Sequence, residues 1–214
     1  MAEAIELHDP IVEFGSLQVE AEQDADLRAL FPGRGYVGTD YREGPGVDRV
    51  EDLRALSLGD GSVGTAICLE TLEHVSDPPA ACRELARVVG DGGVLVVTAP
   101  TLLGVHAYPD DYFRFMPDSF PAMLDGFDDI WVHGLGDRSM PMWVFGVAAK
   151  GRNLDLSLDR LPRTALTQRQ HDAARGRFRL GPFRYPGREL LRELGPQIPR
   201  VVRERVSDRI RRKA

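Results

Sequence analysis

The stretch of sequence that decides the fold is residues 66–100, AICLETLEHVSDPPAACRELARVVGDGGVLVVTAP. Its apolar start is followed by Ser76-Asp77-Pro78-Pro79, which is typical of a helix cap with proline in the first turn. Apolar residues then recur at helical spacing up to Val89, and Gly90-Asp91-Gly92-Gly93 is expected to end the helix and turn the chain. Residues 94–99 are mostly apolar, which is typical of a parallel strand buried on both faces. The stretch therefore predicts a strand, a helix and a second strand.

Shorter apolar runs on both sides of this unit predict further strands and helices. We predict strands at residues 10–15, 35–40, 47–50, 63–69, 94–99, 130–135 and 142–149. We predict helices at residues 24–31, from the Ser76 cap to Val89, and at 117–124. Alternating strands and helices predict an α/β fold: a doubly wound, mostly parallel, Rossmann-like sheet of about seven strands, the last one antiparallel. Such a sheet places its ligand crevice at the carboxyl ends of the strands.

The charge distribution divides the chain into two parts. Residues 1–149 hold 9 basic and 26 acidic residues, a net charge of −17, whereas residues 150–214 hold 18 and 7, a net charge of +11. Prolines interrupt the second part, and apolar residues near Leu190 and from Val201 to Ile210 predict two short amphipathic helices there. We therefore predict one domain over residues 1–150 and a basic C-terminal extension over residues 151–214.

Three interpretations of this extension stay open. It is a solvated, partly ordered appendage, a basic helix that contacts an anionic membrane surface or a protein partner, or a nucleic-acid contact. The last is the least favoured because the extension shows no aromatic stacking platform, and no nucleic-acid partner is expected.

Composition also excludes several classes of protein. Two cysteines are too few for a disulfide framework or a cysteine zinc cluster, and no run of histidine, cysteine or aspartate has metal-ligand spacing, so no metal site is predicted. The acidic start lacks the apolar region of a signal peptide, and no apolar run is long enough to cross a membrane. We therefore predict a cytoplasmic protein.

Polar side chains follow four of the predicted strands, where they are expected to share one crevice. The first strand ends in Glu13-Phe14-Gly15-Ser16, where the glycine allows a ligand close to the backbone. Asp40 ends the second strand, where a carboxylate can accept both hydroxyls of a ribose. Asp52 is placed to accept from an adenine amine, and Glu70 follows the fourth strand. Each acid alone is more often a turn or cap residue, so their joint order carries the signal.

Four segments of the chain resemble the class I S-adenosylmethionine-dependent methyltransferases, of the small methyltransferase-domain type. The segments are VEFGS (12–16), YVGTDYREGPGVDRVEDL (36–53), AICLETLEHVSDPPAACRELARVV (66–89) and GDGGVLVVTAP (90–100). The resemblance covers about residues 10–149, and its last two segments are the most specific.

The resemblance implies S-adenosyl-L-methionine as the cofactor and assigns residues to its parts. It places Glu13, Gly15 and Ser16 at the methionine portion, Asp40 on the ribose, Tyr41 on the adenine, Asp52 and Leu53 at the adenine amine, and Leu69 and Glu70 at the sulfonium. The family usually has G-x-G-x-G after the first strand, whereas this chain has Gly15-Ser16-Leu17-Gln18-Val19.

The function expected from the resemblance is methyl transfer to a small-molecule or glycan-type acceptor, with a hydroxyl as the favoured nucleophile. A hydroxyl needs a base, and histidine suits that role at neutral pH, so His74 and His106 are the candidate catalytic residues. Both histidines are also compatible with purely structural roles. The missing glycines motivate an alternative, a non-catalytic partner protein of the same fold. A nicotinamide-dependent oxidoreductase is disfavoured because G-x-G-x-x-G is absent.

Overall fold

A seven-stranded sheet forms the centre of the protein. The structure, a computed structural model, describes residues 5–18, 26–106, 110–137, 140–154, 156, 177–180 and 183–186. The strands of the sheet are β1 (Ile11–Phe14), β2 (Tyr36–Asp40), β3 (Arg49–Val50), β4 (Val63–Leu69), β5 (Val89–Pro100), β6 (Asp129–Asp137) and β7 (Met140–Ala149). Their order across the sheet is β3-β2-β1-β4-β5-β7-β6.

The strand directions confirm the predicted fold class. Strands β1 to β5 pair in parallel, and β7 lies antiparallel between β5 and β6. The spatial order reverses direction between β1 and β4, so a crevice is expected outside the carboxyl ends of these two strands. Strand β4 matches its predicted bounds, whereas β3 shortens to two exposed residues and leaves that edge of the sheet thin.

Helix α1 (Pro78–Val88) forms where the cap sequence predicts it. The carboxylate of Asp77 accepts a hydrogen bond of 3.0 Å from the backbone N–H of Ala80, which satisfies one of the free donors of the first turn. Ala81, Cys82 and Leu85 lie on the face that is buried against the sheet. The amphipathic spacing therefore fixes which side of the helix meets the core.

The helix ends directly before the glycine run, as predicted, but the turn predicted at this run is wrong. The helix ends at Val88, and β5 begins at once, so residues 90–93 lie inside the strand. A Cβ atom on Gly90 would lie 2.6 Å from the carbonyl oxygen of Gly61, and one on Gly93 would lie 2.9 Å from that of Gly64. The glycines are therefore needed for the close approach of the neighbouring backbone, where the β4–β5 register also shifts.

Two other predicted helices are shorter than expected. Within 24–31, a 3-10 helix covers Leu27–Leu30 and is capped by Asp26, while residues 24 and 25 lie outside the described residues. Pro32 and Gly33 follow directly, which leaves room for a single turn. Helix α2 (Ser119–Met123) occupies the middle of the range predicted at 117–124.

Hydrophobic cores lie on both faces of the sheet. On one face, Leu95 and Val97 of β5 join Leu85 of α1 and Phe120 of α2. On the other face, a cluster contains Val94, Val96, Phe145 and Val147, together with the N-terminal Ile5. Alternate residues of β5 thus enter opposite cores, as the apolar run predicted.

The C-terminal extension is described in part. A hairpin of β8 (Arg177–Leu180) and β9 (Phe183–Pro186) forms a separate two-stranded sheet, which the sequence interpretation did not include. The helices predicted near Leu190 and at 201–210 lie outside the described residues. Across the described part of the chain, no helix has the length and apolar character needed to cross a membrane. The division at residue 150 stays a prediction.

Both cysteines are free thiols inside the fold. Cys68 lies on β4 and Cys82 lies on the buried face of α1. Burial raises the pKa of Cys82 to about 12, so its sulfur remains protonated at neutral pH.

The packing of α1 yields a stability test. Replacing the fully buried Leu85 with alanine should lower the free energy of unfolding by about 2–5 kcal/mol, since it removes apolar contacts and leaves a cavity. The matched control is Arg83→Ala, because Arg83 is exposed on the same helix. Urea denaturation followed by circular dichroism measures both. Equal losses in the two variants would contradict the assigned face of α1.

Candidate active site

A cavity of about 340 Å³ opens at the carboxyl ends of the parallel strands. Its wall is built from the residues that follow β1, β2, β3 and β4, and from the loop around Asp110 and Tyr112 that returns after β5. This volume lies within the range of about 300–1,000 Å³ that is usual for small-molecule sites. The crevice predicted from the strand order is therefore present.

Gly15 holds the carboxyl ends of β1 and β4 close together. Its φ is +87°, and a Cβ atom there would lie 2.1 Å from Oγ1 of Thr71. The Thr71 hydroxyl lies 2.9 Å from the carbonyl oxygen of Leu69 and 3.2 Å from that of Phe14, both within hydrogen-bond range. The N–H of Ser16 donates to the carbonyl of Thr39 at 2.9 Å, which joins β2 to the same turn. Glycine at this position is thus required by both backbone conformation and space.

Asp40 lies at the end of β2 and lines the cavity. Its Oδ1 accepts from the backbone N–H of Arg42 at 3.0 Å, and the Arg42 guanidinium lies 3.9 Å away. The side chain of Asp40 is 15% exposed. Next to it, the ring of Tyr41 is 63% exposed and offers an uncovered aromatic surface.

Asp52 lines the same wall but is paired with an arginine that the sequence interpretation missed. Arg54 donates from Nη2 to Oδ2 at 2.7 Å and from Nε to Oδ1 at 3.0 Å, and this pairing lowers the pKa of Asp52. The same guanidinium donates from Nη1 to Ser76 at 2.8 Å. Leu53, between the two residues, is buried at the cavity wall. Both oxygens of the Asp52 carboxylate are therefore already engaged.

Glu70 follows β4 in a conformation that side chains rarely adopt. Its φ is +47°, in the left-handed region, and its Oε1 accepts from Oγ1 of Thr98 at 2.7 Å. Burial raises the pKa of Glu70 above its usual range. Left-handed backbone in a residue other than glycine costs about 1–3 kcal/mol and is concentrated at functional sites. The structure thus maintains an acid with a strained backbone at the cavity wall.

A cluster of Glu73, His74 and His106 lies beside the cavity, and His74 also lines it. The two imidazole rings are 5.0 Å apart between centroids and nearly perpendicular. The Nε2 atoms of His74 and His106 lie 3.8 Å and 3.9 Å from Oε1 of Glu73. Burial, reinforced by the neighbouring charge of Glu70, raises the pKa of Glu73 to about 8, although its own backbone N–H and Arg114 offset part of this shift.

The loop after β5 positions this cluster. The N–H of Tyr112 donates to the carbonyl of Glu73 at 2.8 Å. Asp111 accepts from the N–H of His106 at 2.9 Å and pairs with Arg114, an ion pair that keeps the pKa of Asp111 well below its usual range. The loop is therefore bound to the turn after β4 at one point and braced by an internal ion pair at another.

The structure brings most of the predicted site residues to one cavity. The predicted residues that line it are Gly15, Asp40, Tyr41, Asp52, Leu53, Glu70 and His74. Four other predicted residues, Glu13, Ser16, Leu69 and His106, lie outside the lining.

Glu13 differs most from the expectation. Strand alternation directs it away from the core occupied by Val12 and Phe14, and its Oε2 accepts a short hydrogen bond from the hydroxyl of Tyr36. Burial raises the pKa of Glu13. Its side chain therefore supports β1 and β2 behind the cavity.

Comparisons with known proteins agree with this geometry. A family model described as "Methyltransferase domain" matches residues 21–97, which include the ends of β2, β3 and β4. The matched residues are thus similar to a methyltransferase domain.

Curated relatives match the chain over limited stretches. It is 44% identical over 62 residues to a ubiquinone biosynthesis O-methyltransferase of Xanthomonas oryzae pv. oryzae (strain PXO99A), which is 29% of this chain and 23% of the relative. It is 40% identical over 82 residues to the protein of the same name from Xanthomonas euvesicatoria pv. vesicatoria (strain 85-10), or 38% of this chain and 30% of the relative. The matches thus span less than a third of the relatives' length.

Solved methyltransferase structures share the fold. Phosphoethanolamine N-methyltransferase 2 of Haemonchus contortus, in complex with S-adenosyl-L-methionine, superposes with a TM-score of 0.51 at 13% identity over 66% of this chain and 48% of that one. An S-adenosylmethionine-dependent methyltransferase of Mesorhizobium loti gives a TM-score of 0.50 at 16% identity over 69% and 93%. At these identities the likeness concerns the fold alone.

The contact between Gly15 and Thr71 yields a second test. Gly15→Ala adds left-handed strain and a steric clash, each of which typically costs about 1–3 kcal/mol. Gly33→Ala is the matched control, because Gly33 has a φ of +75° but no atom within 4 Å of an added Cβ. We expect Gly15→Ala to lower the free energy of unfolding clearly more than Gly33→Ala in urea denaturation. Equal effects would show that Thr71 does not confine Gly15.

Proposed function

We propose that this protein transfers a methyl group from S-adenosyl-L-methionine to a hydroxyl of a small-molecule or glycan-type acceptor. The observation that carries the proposal is the open cavity beyond the carboxyl ends of β1 and β4, with Asp40, Tyr41 and Glu70 on its wall. A crevice at this point of a doubly wound sheet is the usual place for a nucleotide-like ligand. The similarity of residues 21–97 to a methyltransferase domain supports the same cofactor.

The residues of the cavity fit the nucleoside half of this cofactor. Asp40 ends β2 with a partly accessible carboxylate, which suits the two hydroxyls of a ribose. The exposed ring of Tyr41 suits stacking on a flat base. Asp52 is already paired with Arg54, so contact with an adenine amine requires Asp52 to share an oxygen or Arg54 to move. We propose that Gly15, which has no side chain, borders the methionine portion of the cofactor.

The main contribution of the protein to methyl transfer is to hold the acceptor in the right position relative to the methyl group. When bound, S-adenosyl-L-methionine supplies a methyl group that is already activated by its sulfonium centre. The chain's own residues hold the acceptor in line and receive the proton that its hydroxyl must lose. Of the two candidate histidines, His74 lines the cavity, and His106 lies behind it in the same cluster. We therefore propose the cluster of Glu73, His74 and His106 as the place where the acceptor oxygen loses its proton.

Two observations favour oxygen as the methylated atom. The relatives matched over residues of this chain are named O-methyltransferases. An oxygen nucleophile also needs a nearby group that takes a proton or lowers its pKa, and the cluster supplies one.

The basic extension at residues 151–214 is proposed as a contact with an anionic surface or a protein, consistent with its charge.

Cofactor binding can be tested by isothermal titration calorimetry with S-adenosylhomocysteine. The wild-type chain should bind it, and Asp40→Ala should bind about 10- to 100-fold more weakly, because a hydrogen bond to a charged group contributes about 1.5–3 kcal/mol. Asp91→Ala is the matched control, since Asp91 is exposed inside β5 at the opposite end of that strand from the cavity. Absence of binding by folded wild type, or equal affinity in Asp40→Ala, argues against the proposal.

The acceptor class can be tested with methyl-labelled S-adenosyl-L-methionine. The chain is incubated with phenols, alcohols and glycosides, and the products are separated and analysed by mass spectrometry. We expect a methyl ether as the labelled product. Label recovered only on nitrogen or carbon acceptors would contradict transfer to oxygen.

A further inference from the structure

We infer that Glu73, His74 and His106 form a binding site for a divalent transition-metal cation at the rim of the cavity. One carboxylate oxygen and one nitrogen from each histidine lie within 4.8 Å of one another. The site itself follows from this geometry alone, whereas its role in methyl transfer rests on the proposed function.

The carboxylate of Glu73 lacks the partners that a buried acid needs. Its side chain has no exposed surface, and no other residue in the described part of the chain donates a hydrogen bond to Oε1 or Oε2. A buried carboxylate without donors is costly, so buried charges are normally paired or coordinated to metal ions. Its burial beside two histidines points to a cation as the partner of this carboxylate.

The hydrogen bonds of both histidines leave their inner nitrogens free to coordinate. Nδ1 of His74 contacts the carbonyl oxygen of Asp110, and Nδ1 of His106 lies 3.2 Å from that of Gly104. A carbonyl oxygen only accepts, so each neutral ring carries its proton on Nδ1 and its lone pair on Nε2. Both Nε2 atoms lie near Oε1 of Glu73. Metal-binding histidines are usually oriented in this way, with the outer N–H held by a carbonyl or carboxylate.

The separations in the cluster suit ligands better than hydrogen bonds. The distances of 3.8 Å and 3.9 Å from Nε2 to Oε1 are too long for a hydrogen bond. Around a tetrahedral cation with bonds of about 2.1 Å, neighbouring ligand atoms lie about 3.4 Å apart. Each histidine nitrogen would therefore have to approach Oε1 by about half an ångström to reach ligand spacing.

The ligand types select the kind of cation. Two imidazoles and one carboxylate are typical of zinc and iron sites that keep positions open, whereas Mg²⁺ and Ca²⁺ prefer oxygen ligands throughout. His74 lines the cavity, so an open position there is accessible to an acceptor. The negative charge of Glu70, close enough to influence Glu73, adds to the attraction for a cation.

A bound cation would change how the acceptor is activated. It lowers the pKa of a coordinated hydroxyl, as it does that of coordinated water. The acceptor proton would then pass to bulk water, and the oxygen would use the remaining electron pair to bond to the methyl carbon. The bond between that carbon and the sulfonium sulfur would break, and its electron pair would stay on sulfur, giving S-adenosylhomocysteine. Under this proposal His74 and His106 hold the cation, and neither needs to act as the base.

This inference departs from the expectation that the chain has no metal site. That expectation considered ligand spacing along the sequence, where Glu73 and His74 are adjacent but His106 lies 32 positions after His74. The loop after β5 brings the third ligand back over the turn after β4. Only the folded chain places the three residues together.

Zn²⁺ titration of the chelator-treated, full-length protein tests the inference by calorimetry. Wild type should bind one equivalent, and Glu73→Gln and His106→Ala should each weaken binding at least 100-fold. His133→Ala is the control, because His133 lies on β6, outside the cluster, and its replacement should leave Zn²⁺ affinity unchanged. Co²⁺ should give visible absorption bands in wild type and His133→Ala that are lost in the two cluster variants. Excess Mg²⁺ should not displace Co²⁺.

Several outcomes overturn the inference. They are absence of stoichiometric Zn²⁺ binding by wild type, unchanged affinity in the cluster variants, and displacement of Co²⁺ by Mg²⁺, which removes the preference for a transition metal. His106 is 40% exposed in a loop, so His106→Ala tests the site even if Glu73→Gln fails to fold. Binding of S-adenosylhomocysteine, measured on the same samples, separates failure of the metal site from failure of the proposed function.

Discussion

The close contact between Gly15 and Thr71 is the constraint on which the rest of the site depends. Strands β1 and β4 pair in register up to Phe14 and Cys68, and the two chains then turn against each other with no room for a side chain on Gly15. The turn after β1 is hydrogen-bonded to Thr39 of β2, so three strand ends are fixed together. Asp40 and Glu70 face a common cavity because these strand ends cannot separate. Backbone packing at the strand ends therefore determines where the cavity lies, independently of the side chains that line it.

The acids around the cavity fall into two electrostatic classes. Asp52 and Asp111 are paired with Arg54 and Arg114, and their pKa values are lowered by those partners. Glu73 is buried and Glu70 is partly desolvated at the cavity wall, and desolvation raises the pKa values of both. Paired acids orient loops and stay charged, whereas buried acids readily take a proton or a cation. One region therefore contains both permanent structural charges and groups whose charge depends on what is bound.

The sequence predicted the structural features that depend on interactions between residues close together in the chain. The apolar run of β4 and the cap at Asp77 appeared where expected, because burial and capping act within a few residues. The position of Gly90 inside β5 was missed because it depends on the backbone of Gly61 on a neighbouring segment.

The same distinction applies to the site. Asp40 and Glu70 were predicted at the cavity because parallel strands end at one edge of the sheet. The orientation of Glu13 toward Tyr36 and the approach of His106 to Glu73 were not predicted, because each requires a partner more than 20 residues away.

Cys68 and Cys82 have a separate consequence. Both thiols are buried between β4 and α1, so an alkylating reagent reaches sulfur only when the helix separates from the sheet. The rate of thiol modification therefore reports how often this part of the fold opens.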